Sequence, residues 1–342
     1  MAELVRLKAE LRGVELIVFS AARHLNEELN GGTLKRLLEE QSVRYFESED
    51  INTDPRLKNQ ITTNTLGLAL GAAWVFEKQT VALFAENHLL DFMGIDLPRY
   101  RGGAHYTWQI LHGNKKGCAN LQIILGGGET FHRGPIIKRE EYHLAENLKM
   151  PKDYFDFIVG REVSFLQKFL REVADGGEFT PTALYENESS YYPSLFTKMH
   201  GLINWGWSGK DIFLFINAFD EPYPGASTFV NGKKVFMKEC ILLPEQEVYH
   251  PFTSGIVVRR NDEGIFVATV GNLLLIKKVS DERGNDMAGE IKLGDRLHTP
   301  SFELDKAMGF NALYDAGGLR SPTVIPPTYV GGIQEKKKSG EL

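Results

Sequence analysis

The hydrophobic pattern of this chain changes character at Gly176 and Gly177, and that change constrains the fold more than any other feature. Before the two glycines, short apolar stretches such as residues 14–19 and 89–93 alternate with stretches of helical spacing such as residues 152–173. That alternation predicts an α/β domain with a mostly parallel sheet. From residue 233 onward, short strands separated by turn residues predict a small β-barrel instead.

The same change places the domain boundaries. We expect an α/β domain over residues 1–177 and a barrel over residues 218–300. A polar linker with Pro181 and Pro193, followed by a connecting helix, is expected over residues 178–217. Residues 301–342 are expected to form a C-terminal extension that ends in a mobile tail.

Composition narrows the function classes. The 342 residues include 39 Lys or Arg against 45 Asp or Glu, so the net charge is -6, which disfavours nucleic-acid and anionic-membrane partners. The longest apolar run, residues 66–76, is about half of the ~20 residues that a membrane span needs. Two cysteines and no metal-ligand spacing predict a cytoplasmic protein without a disulfide framework or a zinc site.

Three stretches carry more specific signals than periodicity does. They are LPRYRGGAHYTWQILHG at residues 97–113, AFDEPYPGASTF at residues 218–229 and GDRL at residues 294–297. Together they resemble the folate-dependent formyltransferase family, which includes methionyl-tRNA formyltransferases and sugar N-formyltransferases. The resemblance runs from about residue 14 to residue 297, which is most of the chain.

The resemblance implies a Rossmann-like formyltransferase domain joined to a small, OB-like β-barrel domain. It also implies 10-formyltetrahydrofolate as the cofactor and a small-molecule amine as the acceptor, one option being a nucleotide-linked sugar. In the reaction the amine attacks the formyl carbon, so the site needs donors to the developing oxyanion and a base for the amine proton. The oligomeric state is left open, with a homo-oligomer as one option.

The catalytic residues of the family are an Asn-x-His pair and an Asp in a following glycine loop, and this chain departs from all three. Counting back from Leu97 places the pair on Asp91 and Met93. Counting back from Gly134 places the family's Asp on His132, whereas counting from the left end of the loop places it on Glu129. Asp91 lacks the amide donors of Asn, and Met93 is neither a donor nor a base.

Two interpretations of these substitutions stay open. Asp91 and His132 could form a permuted acid–base pair, in which the carboxylate raises the pKa of the histidine and the imidazolium donates to the oxyanion. Alternatively, both are solvated residues of the cleft, and Met93 is simply packed in the core. Losing one oxyanion donor typically costs about 10² to 10³ in rate.

The cofactor-binding residues are also implied by the resemblance. The loop that borders the cofactor contains Leu97, Pro98, Arg101 and Gly102. Arg101 either meets a ligand carboxylate or holds the loop, and His105 either lines the cleft or begins a helix. Trp74 and Phe76 match the strand beside the pteridine pocket, although packing in the core explains them equally well.

Two functions follow from this sequence. The first is a formyltransferase that uses altered acid–base residues, and the second is a catalytically degenerate homologue that acts as a binding or regulatory module. The substituted Asn and His favour the module, whereas Asp91 together with His132 or Glu129 favours the enzyme.

Overall fold

The computed structural model describes residues 14–29, 32–128, 132–243 and 249–320. Its first half alternates short strands and helices. In chain order they are β1 (Ile17–Ser20), α1 (Ala22–Asn26), β2 (Glu28–Leu29), β3 (Gly32–Thr33), α2 (Leu34–Glu40), β4 (Arg44–Glu47), α3 (Pro55–Lys58), β5 (Gly67–Leu70), α4 (Lys78–Val81), β6 (Leu89–Met93), β7 (Arg101–Gly102), α5 (His105–Leu111), β8 (Lys116–Ile123), β9 (Ile136–His143) and α6 (Pro151–Ala174).

The strands of this half pair in two main groups. β1 and β4 are parallel to each other, and β5, β6, β8 and β9 form a four-stranded sheet in that order. Within the sheet β5 and β6 are parallel, whereas β8 and β9 join it antiparallel. The α/β prediction is confirmed, but the sheet is less parallel than expected because the chain reverses direction after β6 and again after β8.

Helix α6 covers one face of the four-stranded sheet. Pro151 occupies its first turn, and the Asp153 carboxylate accepts hydrogen bonds from the N–H groups of Lys149 and Met150 at 2.8 and 3.1 Å, which caps the helix start. Phe165 and Phe169, four residues apart on one helix face, are buried against the sheet. The helix predicted over residues 152–173 is therefore confirmed.

The second half is mainly antiparallel. Its elements are β10 (Tyr191–Tyr192), α7 (Thr197–His200), α8 (Gly209–Ala218), β11 (Ala226–Val230), β12 (Lys233–Leu242), β13 (Val257–Asn261), β14 (Gly264–Ala268), β15 (Leu273–Ser280), α9 (Ser301–Met308), β16 (Tyr314–Asp315) and β17 (Gly318–Leu319). Five of these strands form an antiparallel sheet in the order β11-β12-β15-β14-β13. The fold class, a Rossmann-like α/β region followed by a small β domain, is confirmed.

The two halves are not independent. A single cluster of buried apolar side chains includes Ile158 of α6, Ile216 of α8 and Ile276 of β15, so packing spans both. The segment that we expected to be a linker also returns to the first half, where β10 pairs in parallel with β7.

None of the helices in the described part of the chain combines the length and the apolar character that a membrane span requires. Both cysteines, Cys118 and Cys240, are buried free thiols. The expected mobile tail, residues 322–342, lies outside the described residues.

Candidate active site

Asp91 lies on the face of β6 that α6 leaves uncovered. Side chains alternate along a strand, so Leu90 and Phe92 pack toward α6 while Asp91 and Met93 line a cavity on the opposite face. Gln122 of β8 stands directly across from Asp91 in the strand register and lines the same cavity. The local pattern of β6 thus places one carboxyl group on the cavity wall.

His132 approaches that carboxyl group from a loop. The residue is buried and has a positive φ of 56°, a conformation that is uncommon for residues other than glycine. The N–H of Gly102 donates to His132 Nδ1 at 3.3 Å. Because Nδ1 accepts this bond, the neutral ring carries its proton on Nε2. Nε2 lies 3.8 Å from Asp91 Oδ2.

The protonation states of the pair differ from those we expected. Burial raises the pKa of Asp91 from 3.8 to about 7. Burial, with help from the positive charges of His105 and Arg101, lowers the pKa of His132 to about 3. The predicted imidazolium is therefore wrong: removing the ring from water disfavours its charged form more than a carboxyl group at 3.8 Å favours it.

The resulting pair is neutral histidine beside a carboxyl group that is half ionised near neutral pH. A carboxylate with a pKa near 7 is a suitable general base at neutral pH. The Nε2–H of His132 is a hydrogen-bond donor beside Asp91, and both residues line the cavity. The two groups together can take a proton from one atom and donate a hydrogen bond to another.

His105 fulfils both of the alternatives expected for it. It is the first residue of α5 and it also lines the cavity. Its Nε2 donates to the carbonyl oxygen of Gly102 at 2.8 Å, and burial lowers its pKa. Gly102 therefore contacts both histidines, one through its N–H and the other through its carbonyl group.

The cavity has a volume of about 200 Å³ and combines this polar corner with an apolar wall. Trp74 and Phe76 belong to that wall, and the indole N–H of Trp74 donates to the Glu49 carbonyl oxygen at 2.8 Å. Val75 and Leu125 also line it and leave 47% and 44% of their surface exposed. Apolar surface left open beside polar groups is typical of small-ligand sites.

Met93 contributes a buried apolar side chain. It lines the cavity and also belongs to an apolar cluster with Ile95, Leu97 and Tyr100. Its thioether offers no group for proton transfer.

Several predicted residues lie elsewhere. Leu97 and Pro98 line a second cavity of about 390 Å³ instead. The guanidinium of Arg101 does not line the first cavity. It forms a bidentate ion pair with Glu186 instead. Of the two roles considered for Arg101, the contacts favour holding the loop. Glu129 lies outside the described residues.

Sequence reasoning missed Gln122. Its amide nitrogen donates to the Gly134 carbonyl oxygen at 2.7 Å, and its side chain is buried. The signal was present, because Asn120 and Gln122 are polar residues two apart within the apolar strand β8, which puts both on one face.

Outside the cavity, one cluster of side chains has the ligand types that suit a cation. Asp96, Cys118 and Glu141 lie close together, but Lys116 and Arg139 bind both carboxylates: Lys116 lies 2.9 Å and Arg139 2.8 Å from Glu141. These side chains already neutralise the carboxylates, so an ion-pair network explains the group.

Comparisons with known proteins agree with this architecture. Residues 196–293 match the family model described as formyl transferase, C-terminal domain. The methionyl-tRNA formyltransferase of Acetivibrio thermocellus is 24% identical over 194 residues, which cover 57% of this chain and 60% of that protein. That of Clostridioides difficile is 25% identical over 204 residues, covering 59% and 63%. The match therefore spans about three fifths of the length of these relatives.

A solved structure extends the similarity across both halves of the chain. The N-formyltransferase from Helicobacter canadensis, in complex with folinic acid and dTDP-3-aminofucose, superposes with a TM-score of 0.60. The alignment covers 81% of this chain and 94% of that chain at 15% sequence identity, so it shows a shared fold.

Proposed function

We propose that the chain is a member of the formyltransferase family, that it binds 10-formyltetrahydrofolate, and that it transfers the formyl group to an amine. The observation that carries the proposal is the pair formed by Asp91 and His132, whose carboxyl and imidazole groups meet on the wall of an open cavity. The folate bound in the related N-formyltransferase supports the choice of donor.

The residues of this chain supply the proton transfers that the reaction needs. The bound donor provides a formyl group on a nitrogen that can leave. As the acceptor nitrogen bonds to the formyl carbon, the Asp91 carboxylate takes the acceptor's proton. His132 Nε2–H donates a hydrogen bond to the formyl oxygen, where negative charge develops. When the bond from the formyl carbon to the folate nitrogen breaks, Asp91 returns the proton to that nitrogen, which leaves an N-formyl product and tetrahydrofolate.

Our proposed acceptor is an amine on a small molecule. The aligned N-formyltransferase has a nucleotide-linked amino sugar in its structure, which supports this class. The matched methionyl-tRNA formyltransferases indicate transfer RNA as the alternative acceptor. A net charge of -6 disfavours the binding of such a polyanion.

The second candidate function is a folate-binding module without catalysis. One observation favours it: the buried side chain at position 93 is a methionine, which can neither take a proton nor donate a hydrogen bond to reacting groups.

The test is incubation of the protein with 10-formyltetrahydrofolate and a panel of amino sugars, free and nucleotide-linked, with release of tetrahydrofolate as the signal. We expect turnover, reduced about 10²- to 10⁴-fold in Asp91→Asn and about 10²- to 10³-fold in His132→Gln. Asp262→Asn, an exposed site in the β domain, is the matched control and should keep full turnover.

The outcomes separate the two functions. Measurable folate binding without turnover for any acceptor supports the module. Turnover that survives unchanged in Asp91→Asn contradicts the assignment of the base, and failure to bind the folate contradicts both functions.

A further inference from the structure

The segment between the two halves contributes a residue to the candidate site. We propose that Glu186 is a positioning residue. Its carboxylate holds together the two loops that present Gly102 and His132 to each other, and we call these carboxylate contacts the clasp. The proposal rests on the proposed function, because the pair that is positioned is the acid–base pair of that function. The chain around Glu186 was expected to be a linker, and its return to the first half is what makes the clasp.

The first arm of the clasp is Arg101. Its two terminal nitrogens, Nη1 and Nη2, donate to the two carboxylate oxygens of Glu186, each at 2.9 Å. The Arg101 side chain is only 4% exposed, whereas that of Glu186 is 58% exposed. Two parallel bonds in a fixed fork orient a carboxylate more tightly than a single contact does. Arg101 immediately precedes Gly102, so this arm fixes the backbone that carries the Gly102 N–H.

The second arm is Arg133. Its Nε lies 3.9 Å from Oε1 of Glu186, and Arg133 immediately follows His132. Glu186 thus touches the sequence neighbour of each partner in the hydrogen bond from Gly102 to His132. This arm is longer and more exposed than the first, so Arg101 provides most of the restraint.

Backbone pairing brings Glu186 to this place. The N–H of Arg101 donates to the Ser190 carbonyl oxygen at 3.0 Å, and the N–H of Gly103 donates to that of Tyr192 at 3.0 Å. A side chain on Gly102 would collide with the Tyr192 carbonyl oxygen at 1.9 Å, so the two segments lie in close contact. The clasp and the strand pairing hold the loop at both ends of the Gly102 peptide.

The clasp acts on the tautomer and on the local charge. With Gly102 N–H held against Nδ1, the neutral ring keeps its proton on Nε2, which faces Asp91. The described charged or titratable groups around the pair are Arg101, His105 and, behind Arg101, Glu186. Glu186 offsets the positive charge of Arg101, which is one of the groups that lower the pKa of His132.

The test compares Glu186→Gln with wild type by two independent measurements. The first is nitrogen-15 NMR of protein labelled at its nine histidines, with the His132 signals assigned by their loss in His132→Gln. In wild type we expect an unprotonated Nδ1 and a protonated Nε2. In Glu186→Gln we expect a mixture of the two tautomers.

The second measurement is steady-state kinetics. In Glu186→Gln we expect kcat to fall about 10- to 100-fold with little change in the KM for the folate, because a positioning contact is lost and the binding wall is untouched. The midpoint of the acidic limb of the pH profile should stay near 7, because burial alone raises the pKa of Asp91. A loss of stability alone would lower the activity without changing the His132 tautomer.

Two further variants serve as controls. Glu186→Asp keeps a carboxylate for Arg101, so its His132 signals should lie closer to those of wild type than the signals of Glu186→Gln do, even though the shorter side chain lowers kcat. Glu188→Gln removes a charge two residues away, on the wall of the second cavity, and should match wild type in both measurements.

The results separate this proposal from the proposed function. Unchanged His132 signals in Glu186→Gln overturn the clasp, whether or not the protein turns over. A wild-type protein without turnover that still shows the tautomer change keeps the clasp and overturns the catalytic role of the pair.

Discussion

The pKa of Asp91 makes a prediction about stability that does not depend on activity. Burial raises this pKa from 3.8 to about 7, so ionised Asp91 is destabilising in the folded chain. A difference of this size corresponds to about 4 kcal/mol, at 1.36 kcal/mol for each tenfold change in the equilibrium. Asp91→Asn replaces the carboxyl group with a neutral group of the same shape, which removes this penalty.

The sign of the pH dependence follows from proton uptake. Between about pH 4 and pH 7 the unfolded chain has lost the Asp91 proton and the folded chain has kept it, so the wild type loses stability as pH rises. Above pH 7 both states are ionised and the loss is complete. We therefore expect Asp91→Asn to be more stable than wild type by about 2 kcal/mol at pH 5 and by about 4 kcal/mol at pH 8.

The assay is urea unfolding of wild type and variant at a series of pH values. The slope of the free energy of unfolding against urea concentration should be the same for both proteins, since the surface exposed on unfolding does not change. The exposed Asp262→Asn variant is the control and should follow wild type at every pH. A stability difference for Asp91→Asn that is the same at pH 5 and pH 8 would refute the burial argument.

Three further predictions concern activity and packing. The kcat/KM of the proposed reaction should rise with pH through a midpoint near 7, where Asp91 becomes a carboxylate, and a profile that is flat between pH 6 and 8 would contradict Asp91 as the base. Phe165→Ala should lower the free energy of unfolding by about 3–5 kcal/mol, whereas Phe155→Ala on the exposed side of the same helix should change it by less than about 0.5 kcal/mol; equal losses in urea unfolding would contradict the packing. Gly134→Ala should cost about 1–3 kcal/mol and weaken folate binding, because its Cβ would lie 1.7 Å from the Ile123 carbonyl oxygen. Gly128→Ala, where nothing lies within 4 Å, is its control in titrations with the folate, and the two variants binding alike would argue against the effect.

Much of the fold is visible in local pattern. The strand β6 occurs at the residues predicted for it, and α6 differs from its prediction by one residue at each end. The helix has apolar residues at helical spacing over its length and the strand is a short apolar run, and local sequence decides such elements. The strand β9 was not predicted, since its charged residues Lys138, Arg139, Glu140 and Glu141 hide the alternation and neighbouring strands supply its hydrogen bonds.

The sequence by itself brought Asp91 and His132 to the candidate site, although it did not identify Gln122 there. Counting from family motifs brought Asp91 and His132 to one place, and the structure has them 3.8 Å apart. Strand alternation is enough to send Asp91 to the face opposite Leu90, because the side-chain period of a strand is two.

Tertiary structure alone decided the protonation of that pair and the contacts that hold it. The pKa values depend on how much water the folded chain excludes, which residue types do not reveal. The ion pair between Arg101 and Glu186 joins residues 85 positions apart, and no local pattern encodes it. The packing of distant segments decides which groups meet and how much water surrounds them. The chemistry of the site therefore depends on the fold, even though Asp91 and His132 were recognisable in the sequence.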